Sequence, residues 1–493
     1  MTHSKEDINV FRQTRLKKLD EVRKLGLEPF PSGFKGRQSL ASVIETYGHL
    51  EAGEETNTTV LVAGRILSLR NSGMFIDLHD PHHKIQIFSH KDHLSPESQE
   101  LLKLLDLGDF IGVTGQVRRT PRGELTVNAV EIVMLSKALL PLPEKYHGLT
   151  DIEVRYRQRY LDLIVNEDSR TTLLNRSKVI ANIRRSLEDR SFIEVETPML
   201  HTIAGGALAR PFVTHHNALD MDLYLRIAPE LFLKRLIVGG LSEKIFELNR
   251  CFRNEGISTR HNPEFTTIEI YEAYADFNDM MDLTEYIVES AAQSVFGKLE
   301  FDFQGTLLNF KGPWKRKSMT ALIFEQTNVD FLTTHTQEEA LKAATGLGLK
   351  VSPKDSWGKI VEAAFEHFVE KTLIQPTHVT ELPRDISPLA KAHPTDPRLT
   401  ERFETFVNTW EIANGFSELS DPIDQKDRFL SQVNDRASGN DEAHEMDEDF
   451  IIALEQGLPP TGGLGIGIDR LVMLLTNSPS IRDVIAFPTM KAK

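Results

Sequence analysis

The stretch Gly463-Leu-Gly-Ile-Gly-Ile-Asp-Arg470 sets glycine at every second position of an apolar run. Side chains alternate between the two faces of a strand. A strand here has Leu and Ile on one face and bare backbone on the other, where something flat can lie. Asp469 to Thr476 then reads as a helix with Arg470 in its first turn. The spacing is not the G-x-G-x-x-G of a dinucleotide-binding turn, and no βαβ pattern surrounds it. The Gly-Lys-Ser/Thr ending of a Walker loop is missing too. Both common nucleotide-binding loops are thereby excluded.

Working upstream, Asn408-Thr409 falls between two apolar runs and reads as a two-residue hairpin turn. Phe406 should then oppose Glu411, and Glu404 should oppose Ala413. Glu404 and Glu411 become diagonal neighbours on one face, roughly 7–8 Å apart at Cα. Two long carboxylates so placed can share a hard cation alongside triphosphate oxygens; the alternative is two solvated glutamates. Asn414 and Glu418 have the opposite parity, so a bulge near Gly415 is needed to bring them to the same pocket.

Further upstream, Lys244 to Tyr274 reads as two alternating strands around a polar loop containing Phe252-Arg253-Asn254-Glu255-Gly256 and His261. Period-two geometry groups Phe265, Thr267, Glu269 and Tyr271 on one face and Ile268 and Ile270 on the other. A carboxylate, a phenol and an aromatic ring together are odd for core and natural for a ligand floor. Arg253 ends the incoming strand, where its guanidinium fork could hold a phosphate. Cys251 shares that face and reads as a packing residue. Before this, Val179, Ile180, Ile183 and Leu187 recur at helical spacing, so Ser177–Arg190 is expected as a helix. Phe192–Thr197 is expected as a strand closed by Pro198.

The N-terminal part has another character. Residues 5–28 read as a helix ending at Gly26 or before Pro29. Short strands follow at Thr59–Leu69, Met74–Leu78 and Lys84–Phe88, then a helix at Ser95–Leu105, then strands at Phe110–Val117 and Glu124–Leu135. Three strands, a helix and two strands is the order of an OB-fold, which commonly grips single-stranded oligonucleotides. Phe75 is a candidate base-stacking platform or, as readily, a core residue. The expected division is an extension over 1–58, an OB-fold over 59–139, a linker over 140–170, and an α+β domain over 171–493 with a helix-rich insertion at about 330–375.

The 493 residues carry a net charge of −15, which argues against general nucleic-acid affinity. Local basic runs remain at Arg12, Arg15, Lys17 and Lys18 and at Lys315, Arg316 and Lys317, each readable as a solvated face. The first ten residues lack the apolar core of a signal peptide, and no apolar run reaches the ~18–20 residues of a membrane span. One cysteine excludes an internal disulfide framework. A cytoplasmic protein is expected.

Taken in order, the three C-terminal segments resemble motifs 1, 2 and 3 of the class II aminoacyl-tRNA synthetases. With an OB-fold in front, they resemble the subclass of aspartyl, asparaginyl and lysyl enzymes. The wording is similar to the bacterial lysyl members at Arg157-Gln-Arg-Tyr-Leu-Asp-Leu, Gly205-Gly-Ala, Ala209-Arg-Pro-Phe, Arg226-Ile-Ala-Pro-Glu-Leu and Phe252-Arg-Asn-Glu-Gly-Ile-Ser. It continues so at Arg260-His-Asn-Pro-Glu-Phe, Ile386-Ser-Pro-Leu-Ala-Lys and Asn414-Gly-Phe-Ser-Glu-Leu.

The resemblance implies an N-terminal OB-fold barrel followed by a six-stranded antiparallel sheet flanked by helices, with motif 1 at a homodimer interface. It implies activation of lysine by ATP with Mg2+, then transfer to the 3′ end of a lysine tRNA, with no membrane or DNA partner. Arg253 and Arg470 would be catalytic, Arg253 on the α-phosphate and substrate carboxylate and Arg470 over the adenine. Phe265 would stack under the adenine, Glu255 and His261 would contact the nucleotide, and Glu404 and Glu411 would bind magnesium. Gly206, Glu230, Glu269, Tyr271, Asn414 and Glu418 would form the lysine pocket. Within it Gly206 and Glu230 meet the α-amino group, Asn414 the carboxylate, and Glu418 with Tyr271 the side-chain ammonium. Phe75, Gln86 and Glu124 would read the anticodon. The acidic pocket speaks against an aspartate enzyme, the barrel against a relative that modifies proteins, and the intact Arg253, Arg470, Glu404 and Glu411 against an inactive relative.

Overall fold

The computed structural model describes residues 5–143, 149–207, 209–437 and 445–492. They fall into two compact units, 1–152 and 153–493.

The first unit opens with a helix, Lys5–Lys24, that stops where Gly26 takes φ +79°. That is a left-handed conformation glycine adopts without strain. A second helix, Leu40–Tyr47, is capped by Ser39, a short element the polar composition around it concealed. Five strands close a barrel in the order β1-β2-β3-β5-β4: β1 (Glu55–Arg70), β2 (Phe75–His79), β3 (Lys84–Phe88), β4 (Phe110–Arg119) and β5 (Leu125–Ser136). The helix Pro96–Leu104 sits between β3 and β4 in sequence, which is the expected OB order. Ile76, Leu78, Ile85 and Ile87 point inward, while Phe75 stays outside this core. The first basic run is largely occupied. Arg15 is buried and donates to the carbonyls of Ala138 and Leu140, and Lys18 pairs with Asp106 at 2.6 Å.

In the second unit the stretch expected as linker is helical from Ile152–Arg157 through Arg159–Val165. Arg159 is buried and donates to Asp162 and to the carbonyls of Arg482 and Ala486, which fastens this segment to the C-terminus. The following helix, Glu167–Glu188, starts ten residues before the expected Ser177. The expected strand Phe192–Thr197 shrinks to β6 (Ile193–Glu194), because only two residues find parallel partners. A small three-stranded sheet, β7 (Leu200–His201), β8 (Val213–His216) and β9 (Met221–Leu225), precedes the helix Glu230–Val238.

The remaining strands are β10 (Lys244–Phe252), β11 (Glu264–Ala273), the hairpin β12 (Glu300–Phe303) with β13 (Thr306–Asn309), β14 (Lys315–Ser318), β15 (Thr377–Thr380), β16 (Arg402–Val407), β17 (Trp410–Ser417) and β18 (Thr461–Gly467). The main sheet runs β14-β15-β16-β17-β18-β11-β10-β6. Its inner six strands are all antiparallel, and the two short edge strands β14 and β6 add in parallel. The second basic run lies on β14, where Arg316 pairs with Asp282 and Glu285 and Lys317 with Glu325. It is an ion-paired edge. Helices Phe277–Phe296 and Ile468–Leu475 cover one face of the sheet over a core that includes Phe246, Ile268, Ile270, Leu464 and Ile466. The insertion forms helices Gln337–Gly346 and Trp357–Phe368 around a second small core, tied to the sheet where Phe365 packs on Phe406. Among the described residues no helix is long and apolar enough to cross a membrane.

Candidate active site

The glycine strand lies at the centre of the cavity floor, and register explains why it must be bare. Gly467, Gly465 and Gly463 on β18 pair with Thr267, Glu269 and Tyr271 on β11. On the other side Gly465 and Gly463 pair with Asn414 and Phe416 on β17. The floor is thus a trough, with backbone along its middle and functional side chains rising from both flanking strands. Leu464 and Ile466 point the opposite way, into the core.

Gly463 also leaves room for Glu418: a Cβ there would lie 1.9 Å from Glu418 Oε1 and 2.9 Å from the Tyr271 ring. A Cβ at Gly465 would meet nothing closer than 3.8 Å. Gly463→Ala is therefore expected to lose about 1–3 kcal/mol of stability, while Gly465→Ala melts close to the parent. Urea denaturation of the two variants distinguishes them, and equal midpoints would refute this account of the trough.

The β16–β17 hairpin departs from the sequence expectation. Asn408 and Thr409 both take positive φ (49° and 65°), as a tight two-residue hairpin turn requires. Their amides are held by the carbonyls of Ile374 and Leu373. Phe406 does oppose Glu411, but Glu404 opposes Asn414, where alternation had given Ala413. The extra residue is Ile412, a bulge three positions ahead of the expected site at Gly415. Ile412 and Ala413 both face the core, and this brings Asn414 to the side that Glu404 and Glu411 already share. Arg402 joins them, donating to Asn414 Oδ1 at 3.0 Å and pairing with Glu404 at 2.6 Å. Sequence reading passed over Arg402, although it shares the parity of Glu404. Burial, with Arg402 opposing it and Glu411 reinforcing it, leaves the Glu404 carboxyl raised to about 7.

Arg253, Glu255, His261, Phe265, Glu411 and Arg470 line the open part of the cavity. Glu404, which opposes Asn414, is not part of this wall. The Arg253 guanidinium is 5.1 Å from the centre of the Phe265 ring, and its buried Nε has no hydrogen-bond partner. Arg470 donates to the Glu411 carbonyl at 2.6 Å and meets His261 Nε2 at 3.1 Å. Since arginine only donates, Nε2 is the acceptor, and Nδ1 carries the proton toward Ser258 Oγ at 2.9 Å. Burial and the guanidiniums of Arg470, Arg260 and Arg253 hold His261 below the usual histidine range, in keeping with a neutral ring.

Arg470 owes its place to Asp469, a residue the sequence did not single out. Asp469 accepts from the Thr266 amide at 2.7 Å and pairs with Arg176 at 2.5 Å. This joins the last motif to the strand of the second and the helix of the first.

The deep end of the cavity is lined by Gly206, Glu230, Glu269, Tyr271, Asn414 and Glu418. Gly206 takes φ +90°, and a Cβ there would crowd Ala228 at 3.2 Å. Tyr271 donates to Glu269 at 3.1 Å. Burial, reinforced by the charge of Glu230, raises the Glu269 carboxyl to about 8. Burial also lifts Glu418 well above the carboxylate range, with the nearby Lys234 ammonium pulling the other way. Cys251 lies in this wall, hydrogen-bonded to Asn249, and burial pushes its thiol up, which suits packing rather than nucleophilic chemistry.

In the barrel unit, Phe75 and Gln86 lie on the outer face of β2 and β3, joined by Phe88, whose ring centre is 5.3 Å from that of Phe75. Arg118 stacks over Phe88 at 4.7 Å. Neither Phe88 nor Arg118 was singled out, though the alternation of Lys84–Phe88 puts Phe88 beside Gln86. Gln86 accepts from Thr126 at 3.3 Å, and the exposed Glu124 lies 3.8 Å from Lys84.

Comparison with known proteins agrees with this architecture. The family of tRNA synthetases class II (D, K and N) matches residues 151–491, and the OB-fold nucleic acid binding domain matches 60–135. The lysine–tRNA ligase of Rhizobium meliloti (strain 1021) is 55% identical over 481 residues, spanning 98% of this chain and 97% of that protein. The lysine–tRNA ligase of Carboxydothermus hydrogenoformans is 53% identical over 490 residues, 99% of each. With three motifs gathered on one sheet, an OB barrel preceding them in sequence, and a family match over most of its length, the chain belongs to the class II tRNA synthetases (D, K and N).

Proposed function

We propose that this protein is a lysine–tRNA ligase that activates L-lysine with ATP and transfers it to the 3′ end of lysine tRNA. The observation that carries the reading is the pairing of two environments in one cavity. An open end holds Arg253 and Arg470, and a buried end holds three carboxyls, Glu230, Glu269 and Glu418. An amino acid with two ammonium groups suits the second, and a triphosphate suits the first.

In this reading the lysine carboxylate attacks the ATP α-phosphorus and pyrophosphate leaves. Arg253, whose Nε lacks a partner, neutralises charge on the α-phosphate. Phe265 and Arg470 sandwich the adenine, while neutral His261 and Glu255 contact the nucleotide. Gly206 and Glu230 receive the α-ammonium, Asn414 the carboxylate, and Glu418 with Tyr271 the side-chain ammonium, with Glu269 beside them. Catalysis rests on positioning and charge stabilisation.

Magnesium suits the acidic pair. Burial, and after it the charge of Glu411, raises the Glu404 carboxyl to about 7 against the pull of Arg402, a cost that a divalent cation would relieve. Among the described residues no third acidic or histidine ligand joins them, so triphosphate oxygens would complete the shell. The ion would supply charge neutralisation for those oxygens.

Phe75, Gln86 and Glu124 are proposed to read the anticodon, with Phe75 stacking a base. Exposed Ile193, Met199, Leu200 and Val213 support a homodimer contact near motif 1. We assign the reaction to the cytoplasm.

ATP–pyrophosphate exchange with magnesium, run against each of the twenty amino acids, tests the reading. Exchange with lysine alone is expected. Exchange with aspartate or asparagine would move the chain to a sister enzyme, and none with any would overturn activation itself.

A further inference from the structure

The helix Glu230–Val238 buries a lysine that no part of the mechanism uses. The side chain of Lys234 is fully enclosed and pairs with Glu230, one turn earlier, at 2.6 Å. It also contacts Glu418 from beyond the end of β17. The rings of Phe416 and Phe450 close around it at 5.6 and 5.8 Å. Lys234 is not part of the cavity wall, but both of its partners are. Lys234 meets Oε2 of Glu418, and the buried Oε1 has no partner, which leaves it as an acceptor for a ligand.

We propose that Lys234 is a specificity-determining positioning residue, a buried ammonium that opposes the cost of ionising Glu230 and Glu418 and sets their spacing for an amino acid carrying two ammonium groups. The inference rests on the reading of this cavity as the lysine site.

Charge counting supports it. Glu230, Glu269 and Glu418 can carry three negative charges in a site where burial penalises each of them. Lys234 supplies one positive charge and the two ammonium groups of lysine two more, which matches the three carboxylates, while lysine's own carboxylate is left to Asn414. An amino acid with a single ammonium leaves one buried carboxylate uncompensated, or a proton that must be taken up. Without Lys234 the burial penalty on Glu230 and Glu418 loses its main opposing charge, so lysine would meet a larger share of neutral acids. Burial alone would lower the Lys234 pKa, but Glu230 and Glu418 outweigh it and hold the group above the usual lysine range. The groups that bear on this balance are Glu230 on its own helix, Glu418, Glu269 and Tyr271 from β11, and Arg402 from β16 acting on Glu230.

The test is lysine-dependent ATP–pyrophosphate exchange by the full-length Lys234→Met and Lys234→Gln variants between about pH 6.5 and 8.5. The expected result is a rise in the lysine KM of roughly 10- to 100-fold near pH 7, with kcat and the ATP KM within about threefold of the parent. The sign of the pH dependence follows from the carboxyls. They must lose protons to bind ammonium, so the variants' lysine KM should fall as pH rises, more steeply than the parent's by about one proton. A lysine KM within twofold of the parent at every pH overturns the proposal. So does a parallel loss in kcat and both KM values with no added pH slope, the pattern of a purely structural residue. Failure of both variants to fold also overturns it, because the role assigned is to the pocket. Absence of lysine-dependent exchange in the parent would instead remove the reading of the cavity on which the inference rests.

Discussion

Arg253→Ala is expected to lower the rate of lysine-dependent ATP–pyrophosphate exchange by about 10²–10³-fold or more, while the protein melts within a few degrees of the parent. The reasoning starts from what Arg253 lacks. Its backbone is fixed, the amide donating to the Pro263 carbonyl at 2.9 Å. Its guanidinium rests beside Phe265, yet Nε is buried without a partner. A buried donor left unmade costs about 1–3 kcal/mol, and removing the side chain relieves that cost in the free protein. In the transition state the same donors face α-phosphoryl oxygens that carry the developing negative charge, and losing one preorganised donor of this kind costs about 10²–10³ in rate. Stability and activity should therefore separate. Arg253→Lys should recover little, since a single ammonium cannot reproduce the planar fork. Exchange by Arg253→Ala within tenfold of the parent would remove Arg253 from the chemistry.

The second large effect is expected at Glu418. Glu418→Gln keeps the shape of the side chain and removes its charge, so the buried Lys234 retains only Glu230 as an ionic partner. Breaking a buried pair by neutralising one member costs about 3–5 kcal/mol. Where the lost partner is a ligand's ammonium, this appears as a lysine KM higher by roughly 10²–10³-fold. The ATP KM should stay near the parent value, because the Arg253, Phe265 and Arg470 end of the cavity is untouched. Lysine and ATP titrations of exchange check both halves. Equal losses for the two substrates would mean that Glu418 supports the fold and does not choose the amino acid.

Most of the architecture was legible because local patterns carried it. Alternation in Lys244–Tyr274 and the glycine spacing of 463–467 gave the strand faces, and the strand–helix–strand order gave the barrel. The bulge at Ile412 was not legible. Ile412 and Ala413 are both apolar, and nothing in a one-dimensional alternation says which of them is the inserted residue. The Arg176–Asp469 pair was hidden by 293 residues of separation. Sequence analysis did not single out Lys234, because a lysine between Leu233 and Arg235 carries no local mark of burial. It is buried only because Phe416 and Phe450 come from distant segments to cover it. Helices 152–157 and 159–165 were missed because a run rich in Arg and Tyr resembles a linker until Arg159 finds the carbonyls of Arg482 and Ala486.

The trough along β18 has a consequence for anyone wishing to retune which amino acid is loaded. Its central strand presents no side chains to the cavity, and at Gly463 even a methyl group collides with Glu418. Gly463 is therefore closed to side chains, whereas Gly465 has room for a methyl group at the expense of the bare trough. The positions left to randomise flank it: Tyr271 on one bank, Asn414 and Phe416 on the other. Tyr271 faces Phe416 across Gly463, and Glu269 faces Asn414 across Gly465, so a lysine analogue with a bulkier tail would be accommodated by trimming facing pairs together rather than single residues in turn.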